Sequence, residues 1–218
     1  MKKTKLIVFD IDGTLIDSVL GYHEIIIKAM HDLGIDSIDT NFNALKHHTD
    51  SYALKYNYEN FYKKALPLKL LHNFETQILH YLKLDEKTIA IKGAAEVLKQ
   101  LQNSAYAVAF ATGSLPKSAI YKMTAAGLDM NRELLATSKT SFSREGFVNE
   151  AIEKAKSFYD VNEFEKIISI GDGLWDLKTA QNLKLSFVGI GNNNKELMQA
   201  KGMKLWFEDF TTFDFNSL

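Results

Sequence analysis

Short runs of uninterrupted hydrophobic residues recur along the chain, and more polar segments with regularly spaced apolar residues separate them. Continuous apolar runs are typical of strands that are buried on both faces of a parallel sheet. They occur at residues 6–9, 106–111, 167–170 and 185–190, with shorter candidates at 134–137 and 203–207. Strands that alternate with helices predict an α/β fold with a doubly wound parallel sheet.

Three helices are predicted between these strands, because their apolar residues recur three or four positions apart. The middle helix should end at Gly127, since glycine commonly caps a helix at its carboxyl end. The three apolar stripes consist of Ala94, Val97, Leu98 and Leu101; of Ile120, Met123 and Ala126; and of Ala151, Ile152, Ala155 and Phe158.

Residues 17–88 break this alternation, and we find only helical patterns there. Asp17 or Ser18 is expected to cap a first helix that ends at Gly34. A second helix should run from residue 49 or 50 towards 65, and a third from Pro67 to about residue 82. We therefore predict an α/β core formed by residues 1–16 and 89–218, with residues 17–88 inserted as a helical cap. The first helix has its apolar face at Tyr22, Ile26, Met30 and Leu33.

Composition and charge narrow the possible functions. The formal net charge is −1, so no basic excess favours a nucleic-acid partner. The chain contains no cysteine, which excludes thiol catalysis, cysteine-ligated zinc and disulfides. Its first apolar run is too short for a signal-peptide core, and no stretch approaches the length of a membrane span. We expect a cytoplasmic monomer without a nucleic-acid or membrane partner.

Two acids follow the first predicted strand and suggest a site for chemistry. Asp10 and Asp12 are two positions apart, so their side chains point the same way if the strand geometry continues. Ligands of open α/β sheets bind beyond the carboxyl ends of the strands. Two carboxylates buried side by side are unfavourable unless a cation or a proton intervenes. The simpler alternative is a strand-end turn with two solvated acids, in which Asp12 and Gly13 make the turn.

A second acidic pair follows the strand predicted at 167–170. Asp172 comes directly after Gly171, and Asp176 follows four residues later. If Asp172 lies beside Asp10, their oxygens form a hard site that suits Mg²⁺. Alternatively, Asp172 only caps a helix.

A hydroxyl and a glycine end the strand predicted at 106–111. Thr112, Gly113 and a helix that starts at Pro116 could cradle a phosphate group. The same residues could also form an ordinary turn between a strand and a helix.

Together these three segments resemble the motifs of the haloacid-dehalogenase-like (HAD) superfamily, and the match spans nearly the whole chain. The first motif, Asp-x-Asp-Gly-Thr after a hydrophobic strand, corresponds to residues 10–14. The second, a Thr or Ser that ends a strand, corresponds to Thr112, and the fourth, Gly-Asp-x-x-x-Asp, to residues 171–176. Gly93 and the helical insertion are similar to the phosphoglycolate phosphatase and β-phosphoglucomutase-like group. The resemblance implies a Rossmann-like core with a helical cap.

The superfamily's third motif is normally a lysine, less often an arginine, in front of a helix. The usual Gly-Lys-Pro is missing here, and we assign Arg144, which opens the helix with Ala151, to this role. A guanidinium can hold a phosphate through two hydrogen bonds. Lys139 is the competing candidate, and a salt bridge from Arg144 to Glu145 or Glu150 is the structural alternative.

The resemblance also implies a role for each matched residue. Asp10 would attack phosphorus and form an aspartyl-phosphate. Asp12 would protonate the leaving alcohol and then deprotonate the attacking water. Asp10, Asp172 and the backbone carbonyl of Asp12 would bind Mg²⁺, while Asp176 orients the basic residue. The phosphoryl oxygens would be held by Thr112, Gly113 and Arg144.

The expected function is that of a magnesium-dependent phosphatase acting on a small phosphorylated metabolite. Dehalogenases, phosphonate hydrolases and P-type ATPases of the superfamily lack the second acid, so Asp12 implies phosphatase or phosphomutase chemistry. A phosphomutase similar to β-phosphoglucomutase would use the same acids. An alternative of another class is a phospho-acceptor regulatory domain or a binding module without turnover.

The cap has one dense polar cluster, at residues 46–50, and we expect its loop, with Lys46, His47 and His48, to face the substrate. Its alternative is a solvated basic loop that ends in a helix N-cap. Two adjacent histidines without a third ligand do not predict a zinc site. Trp175 is interpreted as a packing residue at a helix start.

Overall fold

The computed structural model describes residues 2–17, 21–84 and 88–218. Each continuous apolar run of the core forms a strand, because such a run can be buried on both faces only inside a sheet. The strands, in chain order, are β1 (Lys5–Phe9), β2 (Ile16–Asp17), β3 (Ile89–Ala90), β4 (Tyr106–Thr112), β5 (Leu135–Thr137), β6 (Lys166–Gly171), β7 (Ser186–Ile190) and β8 (Leu205–Phe207).

Six of these strands form one parallel sheet in the order β5-β4-β1-β6-β7-β8. The chain builds the sheet outward from β1, first to one side through β4 and β5, then to the other through β6 to β8. The carboxyl end of β1 is therefore a topological switch point, where open α/β sheets bind their ligands. All six strands predicted for the sheet are confirmed.

Helices cover the sheet and fill the insertion. α6 packs against β1, β4 and β5, while α7 packs against β6 and β7. The predicted fold class, a doubly wound parallel sheet with inserted helices, is confirmed. The helices are α1 (Tyr22–His31), α2 (Asp50–Tyr62), α3 (Leu68–Leu84), α4 (Ala94–Gln102), α5 (Pro116–Ala125), α6 (Arg144–Tyr159), α7 (Leu174–Asn182) and α8 (Lys195–Ala200).

The inserted helices α1, α2 and α3 surround a hydrophobic core of their own. Met30, Leu54, Phe74 and Ile78 are fully buried in it, and Leu115 of the α/β unit joins the same cluster. The insertion thus has a separate apolar centre but packs onto the start of α5. We call residues 21–84 the cap from here on.

A two-stranded antiparallel ribbon joins the two ends of the insertion. Ile16 of β2 pairs with Ala90 of β3, and the Ile91 amide donates to the Leu15 carbonyl over 2.9 Å. Strands of two residues are too short to show an alternating pattern, which is why the sequence does not predict this ribbon.

The start predicted for α1 at Asp17 is wrong, because Asp17 lies in β2. Ser18, the other candidate cap, lies outside the described residues. α1 begins after Gly21, whose φ of +87° is in the left-handed region that glycine adopts without strain. The helix start predicted at residue 49 or 50 is confirmed, since α2 begins at Asp50 and the hydroxyl of its N-cap Thr49 accepts the Tyr52 amide over 3.3 Å.

Two apolar stripes of the core helices are shifted from their predicted positions. The buried face of α5 consists of Ser118, Ala119, Lys122 and Met123, so Ile120 lies at its edge. Phe158 of α6 is 45% exposed, although it is in phase with the buried Ala151 and Ala155. In the described part of the chain, no helix has the length and apolar character needed to cross a bilayer.

Candidate active site

The carboxyl ends of three neighbouring strands bring the predicted motifs to one edge of the sheet. In the register of the sheet, Phe9 lies between Phe110 and Ile170. Asp10 continues this pairing, because its amide donates to the Ile170 carbonyl over 2.9 Å. Thr112 therefore lies on one side of Asp10 and Asp172 on the other.

Three carboxylates meet at this edge. One oxygen each from Asp10, Asp172 and Asp176 lies within 4.8 Å of the other two. Asp10 and Asp176 are buried. Burial, together with the Asp176 carboxylate, raises the pKa of Asp10 well above its usual value and that of Asp172 to about 7. Burial also raises the pKa of Asp176. The cluster therefore disfavours three simultaneous negative charges.

Arg144 is the cation that partly balances these acids. Its Nη1 donates to Asp10 Oδ1 over 2.9 Å and to Asp176 Oδ1 over 2.6 Å. It is the first residue of α6, and Ser143 caps that helix by accepting the Gly146 amide. Lys139 is exposed. The structure thus brings Arg144, rather than Lys139, to the acids.

Two glycines allow the motif backbones to approach the acids closely. Gly13 has φ +81°, and a Cβ atom there would overlap the Asp172 carboxylate. A Cβ at Gly171 would lie 2.5 Å from Cβ of Asp176. Packing therefore requires the glycines of both predicted motifs, and at Gly13 the left-handed backbone requires glycine as well.

The loop after β4 lies directly beneath the cap. The Ser114 amide donates to Thr112 Oγ1 over 3.1 Å, so the Thr112 hydroxyl hydrogen remains available to a ligand. A Cβ at Gly113 would lie 2.9 Å from the His48 carbonyl and 3.3 Å from Arg144 Nη2. Gly113 thus separates the guanidinium from the cap loop.

Asp12 points away from the carboxylate cluster. Its side chain accepts from Lys122 Nζ over 2.6 Å and from the Ser114 hydroxyl over 2.9 Å. Lys122 is 0% exposed and lies 4.0 Å from the centre of the Tyr22 ring. Lys122 is not predicted from the sequence, because a lysine on a helix usually faces solvent. The one sequence feature that indicates its burial is its position on the same helix face as Ala119 and Met123.

Asp50 attaches the cap to the loop after β4. Its amide donates to the Gly113 carbonyl over 3.0 Å, while its carboxylate accepts the Leu115 amide over 3.1 Å and the Tyr22 hydroxyl over 2.6 Å. Burial raises the pKa of Asp50 to about 6. Tyr22 also accepts from Ser114, so a network of hydrogen bonds connects the cap with Asp12. From the sequence, Asp50 is predicted as a helix start and as the end of the polar cluster at 46–50, and Tyr22 only as a core residue.

A cavity of about 480 Å³ lies between the cap and the strand ends. Asp10, Asp12, Thr112, Gly113, Arg144 and Asp172 line its floor. His47 and His48 line it from the cap, whereas Lys46 is exposed and does not. Trp175 also lines the cavity and stacks on His48 with ring centres 4.0 Å apart, so it is more than a packing residue.

Comparison with known proteins identifies the family. The sequence profile of the haloacid dehalogenase-like hydrolases matches residues 4–184. The chain belongs to this family. A phosphoserine phosphatase from Methanocaldococcus jannaschii is 26% identical over 197 residues, which cover 85% of this chain and 86% of that protein.

Solved structures of family members have the same fold. CbbY from Rhodobacter sphaeroides in complex with phosphate has a TM-score of 0.71 at 16% identity, covering 97% of this chain and 96% of that one. β-Phosphoglucomutase from Clostridium difficile has a TM-score of 0.69 at 20% identity, covering 100% and 95%. The family profile confirms the predicted superfamily and makes the chain an enzyme of the hydrolase class.

The acids of this haloacid dehalogenase-like hydrolase fit a divalent cation. Among the described residues, Asp172 Oδ1 is buried and has no hydrogen-bond partner, which is unfavourable for a carboxylate oxygen unless a ligand satisfies it. When these three carboxylates are ionised, the single arginine beside them leaves a net negative charge that a bound cation can balance. Oxygen donors of this kind suit Mg²⁺.

Proposed function

We propose that the chain is a magnesium-dependent phosphatase that hydrolyses a small phosphomonoester through an aspartyl-phosphate on Asp10. The observation that supports this most strongly is the surroundings of Asp10. The buried carboxylate lies at the floor of a capped cavity, bonded to Arg144 and within 4.8 Å of an oxygen of Asp172. That arrangement supports Asp10 as the nucleophile, Arg144 as a fixed cation beside it and Asp172 as a ligand for the metal ion.

In the first step, an oxygen of Asp10 attacks phosphorus and the bond from phosphorus to the leaving oxygen breaks. The Arg144 guanidinium, the Gly113 amide and the Thr112 hydroxyl are donors for the phosphoryl oxygens as their charge shifts. Asp12, which must be protonated at this point of the cycle, gives its proton to the leaving oxygen. Its hydrogen bonds to Ser114 and Lys122 hold the carboxyl group at the cavity wall.

In the second step, water attacks the phosphorus of the aspartyl-phosphate, and Asp12 takes the proton from that water. The bond between phosphorus and Asp10 then breaks and releases inorganic phosphate. Asp10, Asp172 and the Asp12 carbonyl would hold the Mg²⁺ ion, which when bound supplies positive charge to the phosphoryl oxygens. Asp176 orients Arg144, because it bonds both the guanidinium and the Gly173 amide.

The charge of the cavity favours a phosphatase over a phosphomutase. A mutase that passes phosphate between positions of a sugar phosphate must bind two phosphate groups at once. Among the described residues that line the cavity, Arg144 is the only lysine or arginine. Residues 18–20, Ser-Val-Leu, add neither type. A single permanently charged side chain fits the binding of one phosphate group rather than two.

The test is steady-state hydrolysis of phenyl phosphate by the full chain after treatment with a chelator, with and without added Mg²⁺. We expect inorganic phosphate to be released only with the ion, and Asp10→Asn to abolish release while it weakens Mg²⁺ binding only in part. Near-normal turnover by Asp10→Asn would exclude Asp10 as the nucleophile. Isomerisation of a sugar phosphate without phosphate release would favour the mutase, and a phosphorylated protein stable for hours would favour a phospho-acceptor domain.

A further inference from the structure

Four aromatic rings form one continuous wall of the cavity. Trp175 stacks on His48 at 4.0 Å and 19°, His48 lies 6.2 Å from His23, and His23 meets Phe42 edge-on at 5.2 Å. Trp175 belongs to the α/β core, and the other three belong to the cap. We call these four residues the ring wall. A flat ring or an apolar group can bury its face against such a surface.

The rest of the lining that faces the ring wall is apolar, neutral polar or acidic. Ile26 and Ala53 are apolar, Tyr22 and Thr49 carry hydroxyl groups, and Asp17 and Asp50 are acids. Arg144 already bonds two acids and faces the position of the transferred phosphate. Lys122 is fully buried behind Tyr22 and does not line the cavity. A second anionic group on a substrate would therefore meet carboxylates rather than a counter-charge.

The three histidines that line the cavity from the cap do not supply positive charge near neutral pH. Burial lowers the pKa of His48 to about 4 and also lowers those of His23 and His47 below their usual value. All three side chains are then neutral, with one donor and one acceptor nitrogen each. They suit hydroxyl or amide groups of a ligand rather than a carboxylate.

On the basis of the proposed phosphatase activity, we propose that the leaving group is uncharged and carries a ring that packs on the ring wall. Phosphomonoesters with a second anionic group, such as a carboxylate or another phosphate, are poor substrates. The aromatic surface favours binding of the ring, and the surplus of acids around it disfavours the second anion.

The first experiment compares three esters that differ at one position of the same ring. Phenyl phosphate and 4-(hydroxymethyl)phenyl phosphate are uncharged there, and 4-carboxyphenyl phosphate carries a carboxylate. We expect kcat/KM of the two uncharged esters to agree within about threefold and that of the carboxylate ester to be about tenfold lower. Intrinsic reactivity cannot explain such a loss, because the carboxylate makes the phenol a slightly better leaving group.

The second experiment moves a charge into the cap. His47→Lys places an ammonium at the cavity, and His47→Gln is the matched neutral variant. We expect His47→Lys to raise kcat/KM for 4-carboxyphenyl phosphate relative to phenyl phosphate by about fivefold, whereas His47→Gln leaves this ratio unchanged. A ratio that responds equally to both variants would contradict the electrostatic explanation.

The third experiment tests the ring wall. Trp175→Leu should raise KM for phenyl phosphate by about fivefold and leave KM for propyl phosphate, which has no ring, within about twofold. Equal kcat/KM for the carboxylate and uncharged esters, or equal effects of Trp175→Leu on both KM values, would overturn this inference while hydrolysis itself continues. Failure of the proposed function is a different result: none of the esters is hydrolysed with Mg²⁺ present.

Discussion

Arg144 lies between the buried carboxylates of Asp10 and Asp176, while the competing candidate Lys139 lies exposed five positions earlier. A planar guanidinium can bond both acids and still present a nitrogen to a phosphate, which a single ammonium group does less well. The choice of arginine at this position follows from the geometry of its neighbours.

We predict that Arg144→Ala lowers kcat by about 10²- to 10³-fold and raises KM, because a donor to the phosphoryl oxygens is lost. Lys139→Ala is the matched control and should change kcat/KM less than about twofold. Steady-state kinetics with phenyl phosphate measure both variants. The reverse ranking would assign the basic motif to Lys139.

Lys122 holds Asp12 from the side opposite the cavity floor. Its ammonium donates to the carboxylate and to Ser114, and it lies against the Tyr22 ring. A buried lysine is unfavourable unless it is paired, so the ion pair with Asp12 is needed for Lys122 to be buried here. We infer that it orients the acid and base of the reaction.

We predict that Lys122→Met lowers kcat about 10- to 100-fold with little change in KM, because Asp12 loses its fixed orientation. Lys99→Met, at an exposed position on α4, serves as control. Binding of beryllium fluoride to Asp10, which mimics a phosphoryl group and needs no proton transfer, should be unchanged in both variants. Loss of that binding in Lys122→Met would indicate structural damage instead of a positioning role.

At the scale of elements, the start of α2 is docked onto the start of α5. Asp50 receives the Leu115 amide and the Tyr22 hydroxyl, and its own amide reaches the Gly113 carbonyl. On the other side of the cap, the Lys117 amide donates to the Glu75 carboxylate over 2.8 Å. These contacts hold the cap closed over the cavity.

We predict that Asp50→Ala destabilises this closed arrangement by about 1–3 kcal/mol, since the Leu115 amide is left without its acceptor. Hydrogen exchange of the Leu115 amide should accelerate, and KM for phenyl phosphate should rise. Asp36→Ala, an exposed acid of the cap, should affect neither quantity. Unchanged exchange at Leu115 in Asp50→Ala would show that other contacts keep the cap in place.

The sequence predicts elements better than it predicts their contacts. The six sheet strands and the helices from Thr49, Pro67, Pro116 and Arg144 follow from local apolar patterns and caps, which need no knowledge of the tertiary structure. The β2–β3 ribbon and the partners of Lys122 and Asp50 depend on residues that lie far apart in the chain. No local pattern encodes such pairings, so the polar network between cap and core is visible only in three dimensions.

The candidate site likewise combines residues that the sequence predicts with contacts that it does not predict. The acids at 10, 172 and 176 are recognisable from their positions after apolar strands, and the structure brings one oxygen of each together. The direction of Asp12, towards Lys122 and Ser114, is not predictable from its spacing to Asp10. Two residues at alternating positions share a direction only while the strand continues, and β1 ends at Phe9.

For the whole molecule, the carboxylate cluster links stability to pH and to the metal ion. The pKa of Asp172 is about 7 in the folded chain, well above its ordinary value. A raised pKa of an acid means that the folded state binds more protons than the unfolded state, so stability falls as pH rises from about 4 to about 7. A bound divalent cation would offset the charge that causes this loss.

We predict that, without metal, the chain unfolds at a lower temperature at pH 8 than at pH 5.5, and that Mg²⁺ raises the unfolding temperature more at pH 8. Asp172→Asn should reduce both the pH dependence and the effect of Mg²⁺, whereas Asp129→Asn, at an exposed position, should reduce neither. Thermal unfolding followed by circular dichroism measures all of these values. If Mg²⁺ raised the unfolding temperature equally at the two pH values, the ion would not be bound by the acid cluster.

The β2–β3 ribbon also bears on how such an enzyme can acquire new substrates. Because Ile16 and Ala90 are neighbours across the ribbon, the chain leaves the α/β core and returns to it at the same place. A segment with adjoining ends can be exchanged for another of different length at a small entropic cost to the rest of the protein. Grafting a foreign helical segment between these two strands would therefore change the substrate specificity while the catalytic residues of the α/β core stay in place.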